Sequence, residues 1–177
     1  MGWLGDEPAY GIIQVRPGKE LKRNFVVGVV PDADLPGSKA ARRDLMIEMV
    51  LSRIVTSDKR ETQLIWLKER EGERSFAILI GPCEARAIEY HIKKFPTPRP
   101  LTHDLLASVI TELNCQLERI EITELKNGIY FARLIIRQDG EVVEVDSRPS
   151  DAIALALRHN SPIFCAEKVI EEAAQFP

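Results

Sequence analysis

Three short segments gather residue types suited to handling phosphate: GPCEA at 81–85, RPLTHD at 99–104 and DSRPSD at 146–151. Each reads as a helix N-terminus, where unpaired backbone N–H groups and the positive end of the helix dipole favour an anion. Arg99 and Arg148 add guanidinium forks that match phosphate oxygens. The same segments carry the carboxylates Glu84, Asp104, Asp146 and Asp151, which repel phosphate unless a cation lies between them. A hard divalent ion, Mg²⁺ or Mn²⁺, would fill that place with Glu84, Asp104 and Asp151 as ligands, and would polarise a water. His103, the only histidine beside a carboxylate in such a segment, is the candidate for moving a proton. Arg158 could face the same pocket or merely cap the last carbonyls of its helix.

A plainer account of these residues also exists. On it, Asp104 and Asp151 each do no more than steady a helix start, worth ~0.3 to 1 kcal/mol, with Arg148 paired to Asp151 and His103 bracing its helix. His91 and His159 read as structural. Cys83 precedes Glu84 at a helix start, but no histidine in that stretch could activate it as a nucleophile.

Composition narrows the field. The chain has 177 residues, 24 Lys plus Arg and 27 Asp plus Glu, a formal charge of −3. It is 45% apolar and 29% charged, as an ordinary globule is. No apolar run reaches a membrane span and no signal-peptide layout opens the chain, so a soluble, cytoplasmic protein is expected. The three cysteines, Cys83, Cys115 and Cys165, form no zinc spacing and fit a reducing compartment. The mild acidity means that any phosphate chemistry must use a local basic site. A Walker A loop, GxGxxG, HExxH and GxSxG are all absent from the sequence.

The elements that must position these residues follow from punctuation and periodicity. Ten of the 21 glycines and prolines fall in residues 1–42, which reads as an irregular arm with one short strand at FVVGVV (25–30) and a boundary near Arg42 and Arg43. Leu45, Ile47, Met49, Leu51 and Val55 alternate as a long strand does. QLIWLKER and RSFAILI form a hairpin whose second arm, apolar on both faces, is expected at the centre of its sheet. A helix then starts at Pro82, carrying Ala85, Ile88 and Ile92 on one face and a Glu89–Lys93 pair on its wet side. PTPRP stops it. Leu101, Leu105, Leu106, Val109, Ile110 and Leu113 line one stripe of the next helix, with Thr102 as its expected N-cap.

Residues 116–125 and 129–137 read as strands joined at Asn127-Gly128, and Asp139-Gly140 turns the chain into EVVEVDS. The helix in RPSDAIALALR is apolar all round, as a buried helix is. PIFC is a short strand and EKVIEEAAQF a last helix with Val169, Ile170 and Ala173 inward. The architecture is α+β, with a mixed or antiparallel sheet and helices packed on it. At an offset of 67 residues, Pro82, Glu84, Ala85, Ala87 and Ile88 fall on Pro149, Asp151, Ala152, Ala154 and Leu155, suggesting two related hairpin-helix units.

At IGPCEARAI (80–88), RPLTHDLL (99–106), NGIYFARL (127–134) and DSRPSDAIALALR followed by PIF (146–164), the chain resembles the bifunctional nuclease domain family. The resemblance covers about residues 43–177, and RPSDAIALALR is its most specific stretch. It implies an α+β domain that tends to self-associate as a homo-oligomer, with DNA and RNA as substrates. It carries over no catalytic role for any residue.

The leading expectation is a metal-assisted nuclease of low sequence selectivity, with Arg99, Arg148 and Arg158 on phosphate. The alternative is a non-enzymatic module that binds an anionic small ligand or a protein, which suits the acidic charge better. A third reading is an oligomeric scaffold whose arm exchanges between subunits.

Overall fold

The computed structural model describes residues 10–14, 45–57 and 63–175. Among them, eight strands form one mixed sheet and four helices pack with it, an α+β fold. The strands are β1 (Tyr10–Gln14), β2 (Met46–Ser57), β3 (Gln63–Glu69), β4 (Ser75–Ile80), β5 (Gln116–Lys126), β6 (Ile129–Gln138), β7 (Glu141–Ser147) and β8 (Ile163–Ala166). The helices are α1 (Pro82–Lys93), α2 (Thr102–Glu112), α3 (Pro149–His159) and α4 (Glu167–Ala173).

The sheet runs β4-β3-β2-β8-β5-β6-β7, with β1 added beside β2. The meander β2-β3-β4 leads into α1, and the meander β5-β6-β7 leads into α3. Between the two meanders lies the short β8, antiparallel to β2 and parallel to β5. Asn127 and Gly128 have φ of 52° and 77°, and Asp139 and Gly140 have 51° and 88°. Both hairpins thus turn through two left-handed residues, the geometry that Asn-Gly and Asp-Gly favour.

The sheet is strongly curled. Five places separate β4 from β6 in the strand order, about 24 Å if the sheet were flat. Yet the Phe76 and Tyr130 rings stack at 5.8 Å, and the Tyr130 hydroxyl donates to the Ala77 carbonyl at 3.5 Å. The core fills the curl: Ile54, Ile65, Leu67, Ile88, Ile120, Ile122, Ile153, Leu155 and Val169 are all buried. In α3, Ala152 through Ala156 are buried without a break, as the all-apolar composition of that helix requires. Val169, Ile170 and Ala173 of α4 are buried as well.

Several local expectations are corrected. The alternation of β2 slips at a bulge between Leu51 and Arg53, so Ile54 rather than Val55 joins Met49 and Leu51 in the core. β4 is the terminal strand of the sheet path, not a central one; its second apolar face opens on a groove, where Leu79 is exposed. The stripe on α2 forms, but only Ile110 is buried, while Leu105, Leu106, Val109 and Leu113 are exposed. Within the segment read as an irregular arm, Tyr10–Gln14 is a strand paired antiparallel with β2. The strand expected at 25–30 lies outside the described residues.

Candidate functional site

The three helix starts meet. α1 and α3 begin alike: Gly81 and Arg148 are extended N-caps, Pro82 and Pro149 supply a ready helical φ, and Glu84 and Asp151 are the acids of the first turn. Neither acid caps its own helix. Both turn to the Arg148 guanidinium instead, with Nη2 to Glu84 Oε1 at 2.8 Å and Nε to Asp151 Oδ2 at 2.8 Å. From α2, His103 Nε2 reaches Asp151 Oδ1 at 3.0 Å. The result is a continuous chain, Glu84–Arg148–Asp151–His103, drawn from three helices.

Burial pushes the Asp151 carboxyl up, but hydrogen bonds from Arg148 and His103, with the charge of Arg148, overcome this and hold it below the ordinary carboxylate value. An ionised Asp151 only accepts, so His103 Nε2 donates to it, and whenever the ring is neutral Nδ1 is the lone-pair acceptor. Nδ1 has no hydrogen-bond partner among the described residues. The hydrogen bond to Asp151 raises the pKa of Arg148. A Cβ at Gly81 would lie 2.3 Å from Glu84 Oε2, so a larger residue there would make that carboxylate shift.

Asp104 and Arg158 form a second, separate pair. Arg158 Nε bonds Asp104 Oδ1 at 2.6 Å, Nη1 donates to the Ala154 carbonyl at 2.8 Å and Nη2 to the Ala87 carbonyl at 3.2 Å. That guanidinium clasps α1, α2 and α3 together and is spent in doing so. Burial raises the Asp104 carboxyl, but the Leu101 N–H and Arg158 more than offset this and lower it. Burial, and then the nearby charge of Arg158, lower the pKa of His91. Asp104 also accepts the Leu101 N–H at 2.9 Å, so Leu101 is the N-cap of α2 and Thr102 lies one residue inside the helix, a correction to the expected cap.

Of the residues singled out in the sequence, Glu84, His103, Arg148 and Asp151 are thus brought into one cluster. Asp104 and Arg158 sit beside it as the clasp. Arg99 is exposed, with no ion pair or hydrogen bond among the described residues, and Asp146 is exposed at the end of β7. Among the described residues no three His, Cys, Asp or Glu side chains are grouped to hold a metal ion. The trio Glu84, Asp104 and Asp151 therefore does not fit a divalent ion as it stands, because each carboxylate is bonded to an arginine.

Arg148 also borders a groove of about 980 Å³ that runs along β4, past Trp66 and Leu79 on one side and Ile129 and Tyr130 on the other. Sequence reasoning missed this groove. Its only trace was the unbroken apolar character of RSFAILI, which reads equally well as a central strand.

The match to the bifunctional nuclease domain spans residues 65–177, well over half of the chain, and contains all three helix starts. The chain belongs to this family. The family match begins inside β3, so β1 and β2 precede it. An uncharacterized protein of Mycobacterium tuberculosis is 38% identical over 110 residues, covering 62% of this chain and 65% of its own length. Bifunctional nuclease 1 of Oryza sativa subsp. indica is 28% identical over 75 residues, 41% of this chain and 23% of that protein. The chain thus spans just under two thirds of the first relative and about a quarter of the second. No helix among the described residues is long and apolar enough to cross a membrane.

Proposed function

We propose that this bifunctional nuclease domain hydrolyses phosphodiester bonds of DNA and RNA with low sequence selectivity, at the Glu84–Arg148–Asp151–His103 cluster. The observation that carries this reading is the chain of contacts that joins first-turn side chains of three helices, Glu84, Asp151 and His103, around an arginine whose side chain is 67% exposed. An anion arriving there meets a guanidinium that can exchange its carboxylate partners for phosphate oxygens, with His103 one carboxylate away.

In this scheme Arg148 holds the phosphate. His103 Nδ1 accepts a proton from a water, whose oxygen forms a bond to phosphorus as the bond to the leaving oxygen breaks. The imidazolium, steadied by Asp151, returns the proton to the leaving oxygen. Contacts to phosphate alone supply no base readout, in keeping with low selectivity.

Assistance by Mg²⁺ or Mn²⁺ takes a narrower form than the sequence suggested. Such an ion would need Arg148 to leave before Glu84 and Asp151 could serve as ligands, and Asp104 would stay with Arg158. The direct test is incubation of the purified protein with single- and double-stranded DNA and RNA, with added Mg²⁺ or Mn²⁺ and with chelator. Cleavage lost in His103→Ala and Arg148→Ala supports the cluster, and its survival in both variants overturns it. Loss of cleavage in chelator assigns a role to the ion; persistence removes that role. Binding of small anions with no cleavage of any polymer would favour the non-enzymatic module.

A further inference from the structure

The groove beside β4 has a chemistry that the cluster does not use. Among the described residues Arg148 is the one charged side chain in its wall, its guanidinium held from behind by Glu84 and Asp151, in a chain whose net charge is −3. Trp66, Phe76 and Tyr130 make it aromatic, while Leu79 and Ile129, 66% and 61% exposed, stand on its rim. Arg53 lies 4.1 Å over the Trp66 ring and has no carboxylate partner among the described residues. A concave, largely apolar surface with a convergent charged group at one end is the kind of site that ligands occupy.

The wall selects among ligands. Flat apolar and aromatic surface ending at a guanidinium complements a polymer that alternates planar rings with single negative charges. Duplex nucleic acid keeps its ring faces in the stack, so only unpaired bases can lie against such a wall. A peptide strand added to the β4 edge is a poorer fit. The Tyr130 hydroxyl, 3.5 Å from the Ala77 carbonyl, stands where an incoming N–H would have to bond.

We infer that this groove binds single-stranded nucleic acid, seating unstacked bases against Trp66 and Tyr130 and leading the adjoining phosphate onto Arg148. The inference rests on the phosphodiester reading for the identity of the polymer, and it restricts the substrate to single-stranded segments.

The test uses the full chain and fluorescein-labelled, phosphorothioate-linked oligo-dT, alone and annealed to its complement, with binding read by anisotropy. Leu79→Glu and Ile129→Glu place a negative charge on the rim without touching the cluster. Leu113→Glu adds the same charge at an exposed position on α2 as a control. Binding of the single strand is expected to weaken at least about tenfold in the two rim variants, the loss of about one stacked base, and to stay within about twofold of wild type in Leu113→Glu. The duplex is expected to bind more weakly than the single strand. Equal affinity across all three variants, equal affinity for duplex, or no binding of either oligonucleotide overturns the inference. Cleavage assays on the same proteins separate the two readings. Cleavage by wild type with unaltered binding in the rim variants sinks the groove alone. Groove-dependent binding without any cleavage sinks the phosphodiester reading alone.

Discussion

Arg148 and Arg158 stand at opposite ends of α3, and the same residue type does different work at each end. The Arg158 side chain is 5% exposed, with donors on Asp104 and on carbonyls of two helices. The Arg148 side chain is 67% exposed, pairing with Glu84 and Asp151 at a surface bordered by a groove. A buried guanidinium with each of its three nitrogens bonded to a different helix is a structural clasp, because losing it removes a link between all three. An exposed guanidinium at converging helix starts contributes little to stability and remains able to exchange its partners for a ligand.

The sharpest way to break this contrast is Arg158→Ala. Removing the clasp leaves Asp104 with the Leu101 N–H alone and takes a side-chain donor from the Ala87 and Ala154 carbonyls; with Asp104 partly exposed, it should lower unfolding stability by about 2 kcal/mol in urea titrations. A loss below about 1 kcal/mol would mean that Arg158 is not holding the three helices together.

Arg148→Ala should give the opposite profile. Phosphodiester cleavage should fall about a hundredfold, while stability moves by no more than about 1 kcal/mol. A large stability loss with unchanged turnover per folded molecule would reverse the assignments of the two arginines.

The smallest effect expected is the pH dependence of stability. His91 and His159 have pKa values lowered from 6.5, in both cases first by burial, and His159 Nε2 is buried without a hydrogen-bond partner among the described residues. Lowered histidines stabilise fully above their unfolded value, so stability should begin to fall as pH drops below about 6.5. Asp104 and Asp151, held below 3.8, add a second loss as pH falls below about 4. Burial pushes the Cys165 thiol from 9.0 up to about 12, so stability should also decline as pH rises from 9 towards that value. Unfolding midpoints measured across this range check the sign: a midpoint that rises between pH 6.5 and 5 would contradict the buried neutral histidines.

What the sequence made legible follows the range of each interaction. Asn127-Gly128 and Asp139-Gly140 announce their hairpins because a left-handed turn is a local demand. The starts of α1 and α3 are equally plain, since proline and an acid in the first turn are local signals. The bulge after Leu51 is not, because alternation read along one strand cannot show where its partner slips. The exposed stripe of α2 and the edge position of β4 depend on what covers each face, a matter of tertiary layout. The candidate residues were visible as types, but their pairing was not. Asp151 meets His103 across 48 residues and Asp104 meets Arg158 across 54, through a sheet whose curl no periodicity records.

Whether Asp151 orients His103 while Arg148 receives phosphate is decided by the Asp151→Asn variant. The amide keeps the size of the side chain but can no longer hold His103 in one tautomer as an anion does. Initial cleavage rates on a single-stranded oligonucleotide should fall at least about a hundredfold, with the urea unfolding curve shifted by no more than about 1 kcal/mol. Cleavage at the wild-type rate by a folded Asp151→Asn protein would contradict the account.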